Sequence, residues 1–278
     1  MVESVVKRPQ TVISHTANLG GDMAFVTVNG KKAFYTCPRD VAGGETRGKV
    51  VLLIHGARSN HKIWAPQLQA LAWRHTPIGI DLPGHGESQG SGSTDVSEYR
   101  EFVKGLMDAL GLQKFVMAGH SMGGSIALDY ALHYPGVEAL IPVGSAAKWA
   151  IDKEYITALR ADPEGALKKY GRRNFAKSTP GAIIELNNWN NKTTEPQVGV
   201  GDLEACNGFD VLASLGKIDV PTCIVCGEED QYAEGSRILH DRIAGSQVHW
   251  VKDAGHDPSI EQPLATNKIL LEFLGSLS

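Results

Sequence analysis

The residues with the clearest chemical potential form a Gly-x-Ser-x-Gly motif, in which Gly119 and Gly123 flank Ser121. A short apolar run precedes the motif, and a helical pattern bearing Ala and Leu follows it. This order predicts a strand, a sharp turn and a helix, with the hydroxyl of Ser121 projecting from a strained turn. A side chain at either glycine is expected to collide with the neighbouring strand or helix. The motif therefore predicts that Ser121 is a nucleophile.

Serine is a poor nucleophile until a base removes its proton, and the base needs a third group to orient it. His256 and Asp230 each follow a predicted strand, so we expect both at the same sheet edge as Ser121. The chain order Ser, Asp, His is the one that accompanies this type of serine motif in a parallel sheet. Glu228 and Glu229 compete with Asp230 for the role of the acid, although solvated loop charges are the simpler interpretation of both.

The opposite wall of the site is predicted at His55, Gly56 and Ala57, which follow another apolar strand. Gly56 lets the backbone approach a substrate closely. The backbone amides of Ala57 and Met122 are then placed to hold an oxyanion, the second of them at a helix N-terminus. His55 is interpreted as a residue that shapes the loop, and His120 as a packed or hydrogen-bonded wall residue.

These residues are positioned by an alternation of strands and helices, which predicts an α/β fold with a mostly parallel central sheet and helices on both faces. Asn29-Gly30 is typical of a type I′ hairpin turn between two strands. We predict strands at 24–28, 31–37, 50–54, 77–80, 114–118, 137–143, 222–226 and 247–251, and helices at 63–73, 95–110, 121–134, 234–243 and from 261 onward.

The alternation is interrupted between residues 144 and 215, which we interpret as an inserted helical lid over the sheet. Helical patterns occur at 153–160 and 164–175, and residues 187–201, rich in Asn and containing Pro196, are expected to be a polar loop. The predicted organisation is an N-terminal extension (1–22), a core (23–143 and 216–278) and the lid (144–215). Candidate wall residues in the lid are Trp149, Tyr155, Phe175 and Trp189, for which packing of the lid onto the sheet is an equally good interpretation.

Composition excludes several classes of protein. The chain has 278 residues, 42% hydrophobic and 21% charged, with a net charge of −4. It carries no basic surface signature, so a nucleic-acid partner is not expected. Neither an apolar run of membrane-spanning length nor a secretory signal pattern occurs, so we expect no membrane partner and a cytoplasmic location. The oligomeric state is left open.

No metal or organic cofactor is expected. Cys223 and Cys226 form a C-x-x-C pair, but the apolar residues between them predict a buried strand, in which both are small core residues. Asp81 and His85 lie in a Gly- and Pro-rich loop and resemble a metal pair. They lack further ligands at sensible spacing, so hydrogen bonds that fix the loop are the better interpretation.

Taken together, the motifs resemble the α/β-hydrolase fold superfamily, in its serine esterase and lipase branch. The resemblance covers nearly the whole chain except the N-terminal residues and the lid. It implies Ser121 as nucleophile, Asp230 as acid, His256 as base, and the amides of Ala57 and Met122 as the oxyanion hole. The motifs are HGA at 55–57, DLPGHGES at 81–88, GHSMGG at 119–124, GEED at 227–230 and GHDPSIEQP at 255–263.

Some branches of the superfamily are disfavoured. Epoxide hydrolases and haloalkane dehalogenases carry Asp where this chain has Ser121. Ring-cleavage C–C hydrolases have a G-P-G-A type run after the first His-Gly, where this chain has Ala57-Arg58-Ser59-Asn60. The HGGG loop of the hormone-sensitive-lipase group is also missing from the sequence.

The leading expectation is a serine hydrolase that cleaves small-molecule carboxylic esters through an acyl-enzyme. The alternatives are a hydrolase of C–C bonds, lactones or thioesters with the same triad, and a small-molecule receptor that retains the triad but turns over slowly. Candidate substrate-binding residues are Arg58, His120, Trp149, Tyr155 and Trp189.

Overall fold

The computed structural model describes residues 14–18, 21–38 and 46–277, with side chains from residue 24 onward. Within these ranges, nine strands join into one sheet. The strands are β1 (Ser14–Asn18), β2 (Gly21–Val28), β3 (Lys31–Cys37), β4 (Val50–Ile54), β5 (Thr76–Ile80), β6 (Phe115–His120), β7 (Val137–Val143), β8 (Cys223–Gly227) and β9 (Gln247–Val251).

The strand order across the sheet is β1-β2-β3-β5-β4-β6-β7-β8-β9. The first three neighbouring pairs are antiparallel, and all pairs from β5 to β9 are parallel. Asn29 and Gly30 join β2 to β3 with φ angles of 49° and 77°, as a type I′ turn requires. The predicted α/β class with a mostly parallel sheet is therefore confirmed.

Helices cover both faces of this sheet. Along β4, Leu52 and Ile54 belong to the apolar core on one face, whereas Val51 and Leu53 belong to the core on the other. Burial on two faces explains why a central parallel strand is a continuous apolar run. The helices are α1 (Ala65–Leu71), α2 (Val96–Ala109), α3 (Met122–His133), α4 (Lys153–Ala161), α5 (Pro163–Tyr170), α6 (Gly181–Asn191), α7 (Pro196–Gly208), α8 (Ala233–Arg242), α9 (Pro258–Glu261) and α10 (Pro263–Ser276).

The chain leaves the sheet after β7 and returns at its neighbour β8, and α4 to α7 lie between them. The prediction of a polar loop at 187–201 was wrong, because this stretch contains the end of α6 and the start of α7. Asn187 and Asn190 are buried on α6 rather than solvated in a loop. Pro196 is the first residue of α7, where the missing N–H would have no helical partner anyway.

The N-terminal extension predicted at 1–22 lies largely outside the described residues. Of its described part, residues 14–18 form the edge strand β1, and β2 begins at Gly21 rather than at residue 24. Among the helices that the structure describes, none has the length and apolar character needed to cross a membrane.

Candidate active site

Ser121 occupies the sharp turn between β6 and α3. Its backbone has φ 53° and ψ −119°, a left-handed conformation that a side chain strongly disfavours. Two hydrogen bonds hold it there: its N–H donates to the carbonyl of Val143 at 2.9 Å, and the Ser145 hydroxyl donates to its carbonyl at 2.8 Å. The strain is thus imposed by the surrounding fold, and it presents the hydroxyl at the carboxyl edge of the sheet.

The two motif glycines allow strand and helix to approach closely. A Cβ atom on Gly119 would lie 2.2 Å from the carbonyl carbon of Gly123, and one on Gly123 would lie 2.3 Å from the carbonyl oxygen of Ile54. Both distances are far below any real contact of a Cβ atom with backbone. The expectation that a side chain would collide at either position is confirmed.

Three side chains from three strand ends meet at this edge. His256 Nε2 lies 2.9 Å from Ser121 Oγ, and His256 Nδ1 lies 3.1 Å from each carboxylate oxygen of Asp230. Asp230 is anchored in turn by the Tyr232 N–H, which donates to it at 2.9 Å. Both His256 and Asp230 are buried. The arrangement can take a proton from the serine and stabilise the imidazolium that forms.

The electrostatics of the pair match this arrangement. Burial alone would lower the pKa of His256, but the charge of Asp230 and its hydrogen bond outweigh burial and raise the pKa above its ordinary value. For Asp230, burial opposes ionisation, yet His256 and the Tyr232 amide lower the pKa of the carboxyl. Asp230 is therefore ionised behind the imidazole, and the imidazole is a stronger base than a free histidine.

The two competing acids do not contact His256. Glu228 and Glu229 both have exposed side chains. Glu229 is more than a solvated charge, because its carboxylate accepts the Lys177 N–H at 3.0 Å. It thus links the turn after β8 to the segment before α6, away from the imidazole.

The loop that carries His256 is held by a buried carboxylate that sequence reasoning missed. Glu261 accepts the N–H groups of Gly255 (2.9 Å) and Asp257 (3.1 Å), on either side of the histidine. It also accepts the Ala176 N–H at 2.8 Å. One carboxylate therefore fixes the histidine loop against the chain just before α6.

The candidate oxyanion donors lie beside Ser121. A Cβ atom on Gly56 would lie 3.0 Å from the Ser121 Cβ, which shows how closely this loop approaches the serine. Met122 opens α3, so its amide has no helical acceptor one turn earlier. His55 shapes the loop: Nδ1–H donates to the Gly56 carbonyl at 2.8 Å and Nε2 accepts the Leu82 N–H at 3.0 Å. Burial lowers the pKa of His55 to about 3, which keeps this ring neutral.

A second buried carboxylate, also missed from the sequence, fixes the residue after Ala57. Asp202, on α7, accepts the backbone N–H of Arg58 at 2.8 Å. It also binds the Tyr99 hydroxyl at 2.5 Å and His85 Nε2 at 2.8 Å. No local motif marks Asp202, because its partners lie on distant segments of the chain. Glu261 lies within the GHDPSIEQP motif, but the motif alone does not indicate which groups its carboxylate binds.

A cavity of about 80 Å³ opens at Ser121 and His256. Of the five predicted substrate-binding residues, Arg58, His120, Trp149 and Tyr155 line it. His120 is a hydrogen-bonded wall residue, as expected: Nε2 lies 2.9 Å from the His256 carbonyl oxygen. Its full lining is Ala57, Arg58, Ser59, His120, Ser121, Trp149, Ile151, Tyr155, Asn174, Asn187, Asn191, Leu203, Cys206, Tyr232, His256 and Asp257.

The prediction that Trp189 lines the site was wrong. Its side chain is 61% exposed and borders a separate apolar groove, where its ring lies 5.5 Å from the Lys62 ammonium. The continuation of α6 through residues 187–191 is the reason, because it places Trp189 on the outer side of that helix. Phe175 is buried but does not border the cavity at Ser121.

The two residue pairs that resemble metal ligands in the sequence, Asp81 with His85 and Cys223 with Cys226, lie outside this cavity. Asp81 accepts hydrogen bonds from the His61 backbone and ring, whereas His85 binds Asp202. Cys223 and Cys226 are buried in β8, and burial raises the pKa of both thiols to about 12. Throughout the described ranges, no group of three or more such residues is placed to hold a metal ion.

Comparison with known proteins identifies the family of this chain. The model of the alpha/beta hydrolase family matches residues 51–269, which is most of the chain. The chain belongs to the alpha/beta hydrolase family. Within this family it is similar to monoacylglycerol lipase ABHD6 of Bos taurus, with 25% identity over 259 residues, covering 82% of this chain and 75% of the lipase.

Two further proteins illustrate the range of proteins similar to this chain. Carboxylesterase YbfK of Bacillus subtilis (strain 168) is 26% identical over 265 residues, covering 87% of this chain and 88% of that one. Among solved structures, the enol-lactonase from Burkholderia xenovorans LB400 has a TM-score of 0.82 at 23% identity, covering 91% of this chain and all of that one. The enol-lactonase comparison supports the fold of this alpha/beta hydrolase.

Proposed function

We propose that this alpha/beta hydrolase cleaves carboxylic esters through an acyl-enzyme formed on Ser121. The observation that carries the proposal is the continuous hydrogen-bonded line from Ser121 Oγ through His256 to Asp230, with distances of 2.9 and 3.1 Å. Its similarity to a lipase and a carboxylesterase supports the same reaction class.

In the proposed first step, His256 Nε2 accepts the Ser121 proton while Oγ attacks the ester carbonyl carbon. The amides of Ala57 and Met122 stabilise the negative oxygen of the tetrahedral intermediate. His256 then returns the proton to the departing alcohol, which leaves the acyl group on Ser121. The ordinary neutral form of the histidine is restored at the end of this step.

In the second step, water enters the site of the departed alcohol and His256 accepts its proton. The resulting hydroxide attacks the acyl carbon, the same two amides hold the oxyanion, and the acid leaves as Ser121 regains its proton. No metal or organic cofactor takes part in the proposed mechanism.

We also propose that residues 144–215 act as a lid that sets the size of the substrate. Trp149 and Tyr155 belong to this segment and line the cavity beside Ser121. The Trp149 indole N–H donates to Ser125 Oγ at 2.8 Å, and its ring packs edge-on against Tyr232 with centroids 5.4 Å apart. These contacts hold the indole as a firm wall of the cavity.

Turnover of p-nitrophenyl acetate and butyrate by the wild-type chain and Ser121→Ala tests the proposal. We expect hydrolysis by the wild type and a loss on the order of 10⁶-fold in kcat for the variant, since the nucleophile is gone. Ser91→Ala, at an exposed serine before α2, is the matched control and should keep full activity.

Other outcomes of the same panel separate the alternatives. Turnover confined to an added lactone or thioester, and still dependent on Ser121, would place the chain with those hydrolases. Absence of turnover, combined with stabilisation by a small-molecule ligand, would favour the receptor. Undiminished ester hydrolysis by Ser121→Ala would overturn the serine mechanism itself.

A further inference from the structure

A cationic side chain lines the cavity at Ser121. Arg58 is only 9% exposed, and its Nη1 donates to the Tyr155 hydroxyl at 2.6 Å. Within the described part of the chain, no carboxylate oxygen lies within 4.0 Å of the guanidinium nitrogens. A buried charge without a counter-charge is costly, so a cavity that contains one favours an anionic ligand.

Two acidic residues, Asp202 and Asp257, lie close to the Arg58 backbone or line the same cavity. Asp202 accepts the backbone N–H of Arg58 and two other donors, Tyr99 and His85. Asp257, which also lines the cavity, lies with Oδ1 3.3 Å from His120 Nε2, and burial lowers the pKa of that histidine. A guanidinium has five N–H donors, and the Tyr155 hydroxyl accepts only one of them. None of the remaining guanidinium nitrogens is among the enclosed atoms that lack a partner, so they reach the open space beside the cavity that Arg58 lines.

The backbone at Arg58 is held in a specialised conformation. Its φ angle is 62°, which is unfavourable for a side chain, and the bond to Asp202 maintains it. α7 also makes room for the side chain: a Cβ atom on Gly199 would lie 2.5 Å from the Arg58 Cγ. A glycine on the lid and a buried carboxylate thus both serve to keep this arginine in the cavity wall.

We infer that Arg58 binds a free carboxylate on the substrate, and that the substrate is a monoester of a short dicarboxylic acid. The inference rests on the proposed function and specifies its substrate class. A guanidinium and a carboxylate carry opposite charges, and both groups are planar, so they can form a bidentate pair of hydrogen bonds. Arg58 directly follows the proposed oxyanion donor Ala57 and lines the same cavity as Ser121, which favours a short chain between the ester carbonyl and the carboxylate.

Monoethyl succinate and ethyl butyrate provide a matched test, because the carboxylate of the first replaces the terminal methyl of the second. Hydrolysis is followed by chromatography of the released acid, and kcat/KM for each ester is divided by its rate of alkaline hydrolysis. We expect the wild type to prefer monoethyl succinate. Arg58→Met should lower the succinate-to-butyrate ratio by about 10- to 100-fold, as expected for loss of hydrogen bonds to a charged group.

Two further variants distinguish binding by Arg58 from a general effect of charge or folding. Arg58→Lys keeps the charge but loses the planar guanidinium, so its succinate-to-butyrate ratio should lie between those of the wild type and Arg58→Met. Arg160→Met removes an exposed cation of the insertion and should leave the ratio at the wild-type value. Succinate should also inhibit wild-type hydrolysis of p-nitrophenyl acetate more strongly than butyrate does, a measurement that needs no variant.

The outcomes keep the two proposals separate. Equal turnover of both esters by the wild type, dependent on Ser121, would overturn the role of Arg58 and leave ester hydrolysis standing. The same holds if Arg58→Met folds and its ratio equals that of the wild type. Failure to hydrolyse any ester in a Ser121-dependent way would instead overturn the proposed function.

Discussion

The carboxylate of Asp202 accepts the backbone N–H of Arg58 at 2.8 Å, and this bond ties α7 to the loop that follows β4. Asp202 is fully buried and also binds Tyr99 and His85. The amide of Ala57, the proposed oxyanion donor, belongs to the residue just before Arg58. A side chain between β7 and β8 in the chain therefore orients the backbone at the cavity beside Ser121.

Asp202→Ala should impair both stability and catalysis. Removing one member of a buried charged network leaves its partners unsatisfied, so we expect a loss of about 3–5 kcal/mol in the free energy of unfolding. The kcat should fall as well, because the loop bearing Ala57 loses its anchor. Asp202→Asn retains one carbonyl oxygen, so it should lose less stability in denaturant unfolding and less kcat than the alanine variant. If Asp202→Ala has the free energy of unfolding and the kcat of the wild type, this role of Asp202 is contradicted.

Asp230→Asn tests the third member of the proposed triad. The amide cannot hold His256 in the tautomer that accepts the serine proton, so kcat should fall on the order of 10⁴-fold. Glu229→Gln is the matched control, because Glu229 accepts a backbone N–H at 3.0 Å and does not contact His256. A severe loss in the glutamine variant, with mild loss in the asparagine variant, would reverse the assignment.

The pH profile of kcat/KM should rise with a pKa above that of free histidine, which is about 6.5. Asp230 raises the pKa of His256 despite its burial, and only the neutral imidazole accepts the serine proton. Activity is therefore low below this raised pKa and reaches its plateau above it. An ascending limb at or below about 6.5 would show that His256 in the resting enzyme lacks the effect of Asp230.

Trp149→Phe should change the selectivity for acyl chain length. The smaller ring enlarges the cavity, so the ratio of kcat/KM for p-nitrophenyl hexanoate to that for the acetate should rise by about tenfold. Trp189→Ala is the control, since this residue borders a separate groove and is 61% exposed. If the hexanoate-to-acetate ratio of kcat/KM is the same for the wild type and Trp149→Phe, the proposal that Trp149 and the lid select substrate size is contradicted.

Local sequence patterns were sufficient to predict the strands that position the site. β4, β7 and β9 have the predicted bounds, because apolar runs of strand length are readable without their neighbours. The positions of Ser121, Asp230 and His256 after three of the parallel strands predict their proximity, since parallel strands end at a common edge. The structure brings these three side chains within hydrogen-bonding distance.

Features that depend on packing could not be predicted in this way. The Asn-rich stretch at 187–191 is helical because Asn187 and Asn190 are buried against the rest of the chain, which their loop-favouring type does not indicate. Trp189 consequently lies outside the cavity. Asp202 gains its role from partners more than 80 residues away, such as Tyr99, and no motif links such segments. Glu261 binds Gly255 and Asp257 nearby, but its bond to Thr179 in the preceding segment could not be predicted from the motif.

Covalent labelling with a fluorophosphonate, followed by peptide mass mapping, tests the assignment of the nucleophile most directly. Such a reagent modifies a serine only where a neighbouring base activates it. We expect one adduct on Ser121 in the wild-type chain, none in Ser121→Ala, and greatly slowed labelling in His256→Gln. An adduct on another residue, or no adduct on Ser121 in the folded wild-type chain, would contradict the proposed mechanism.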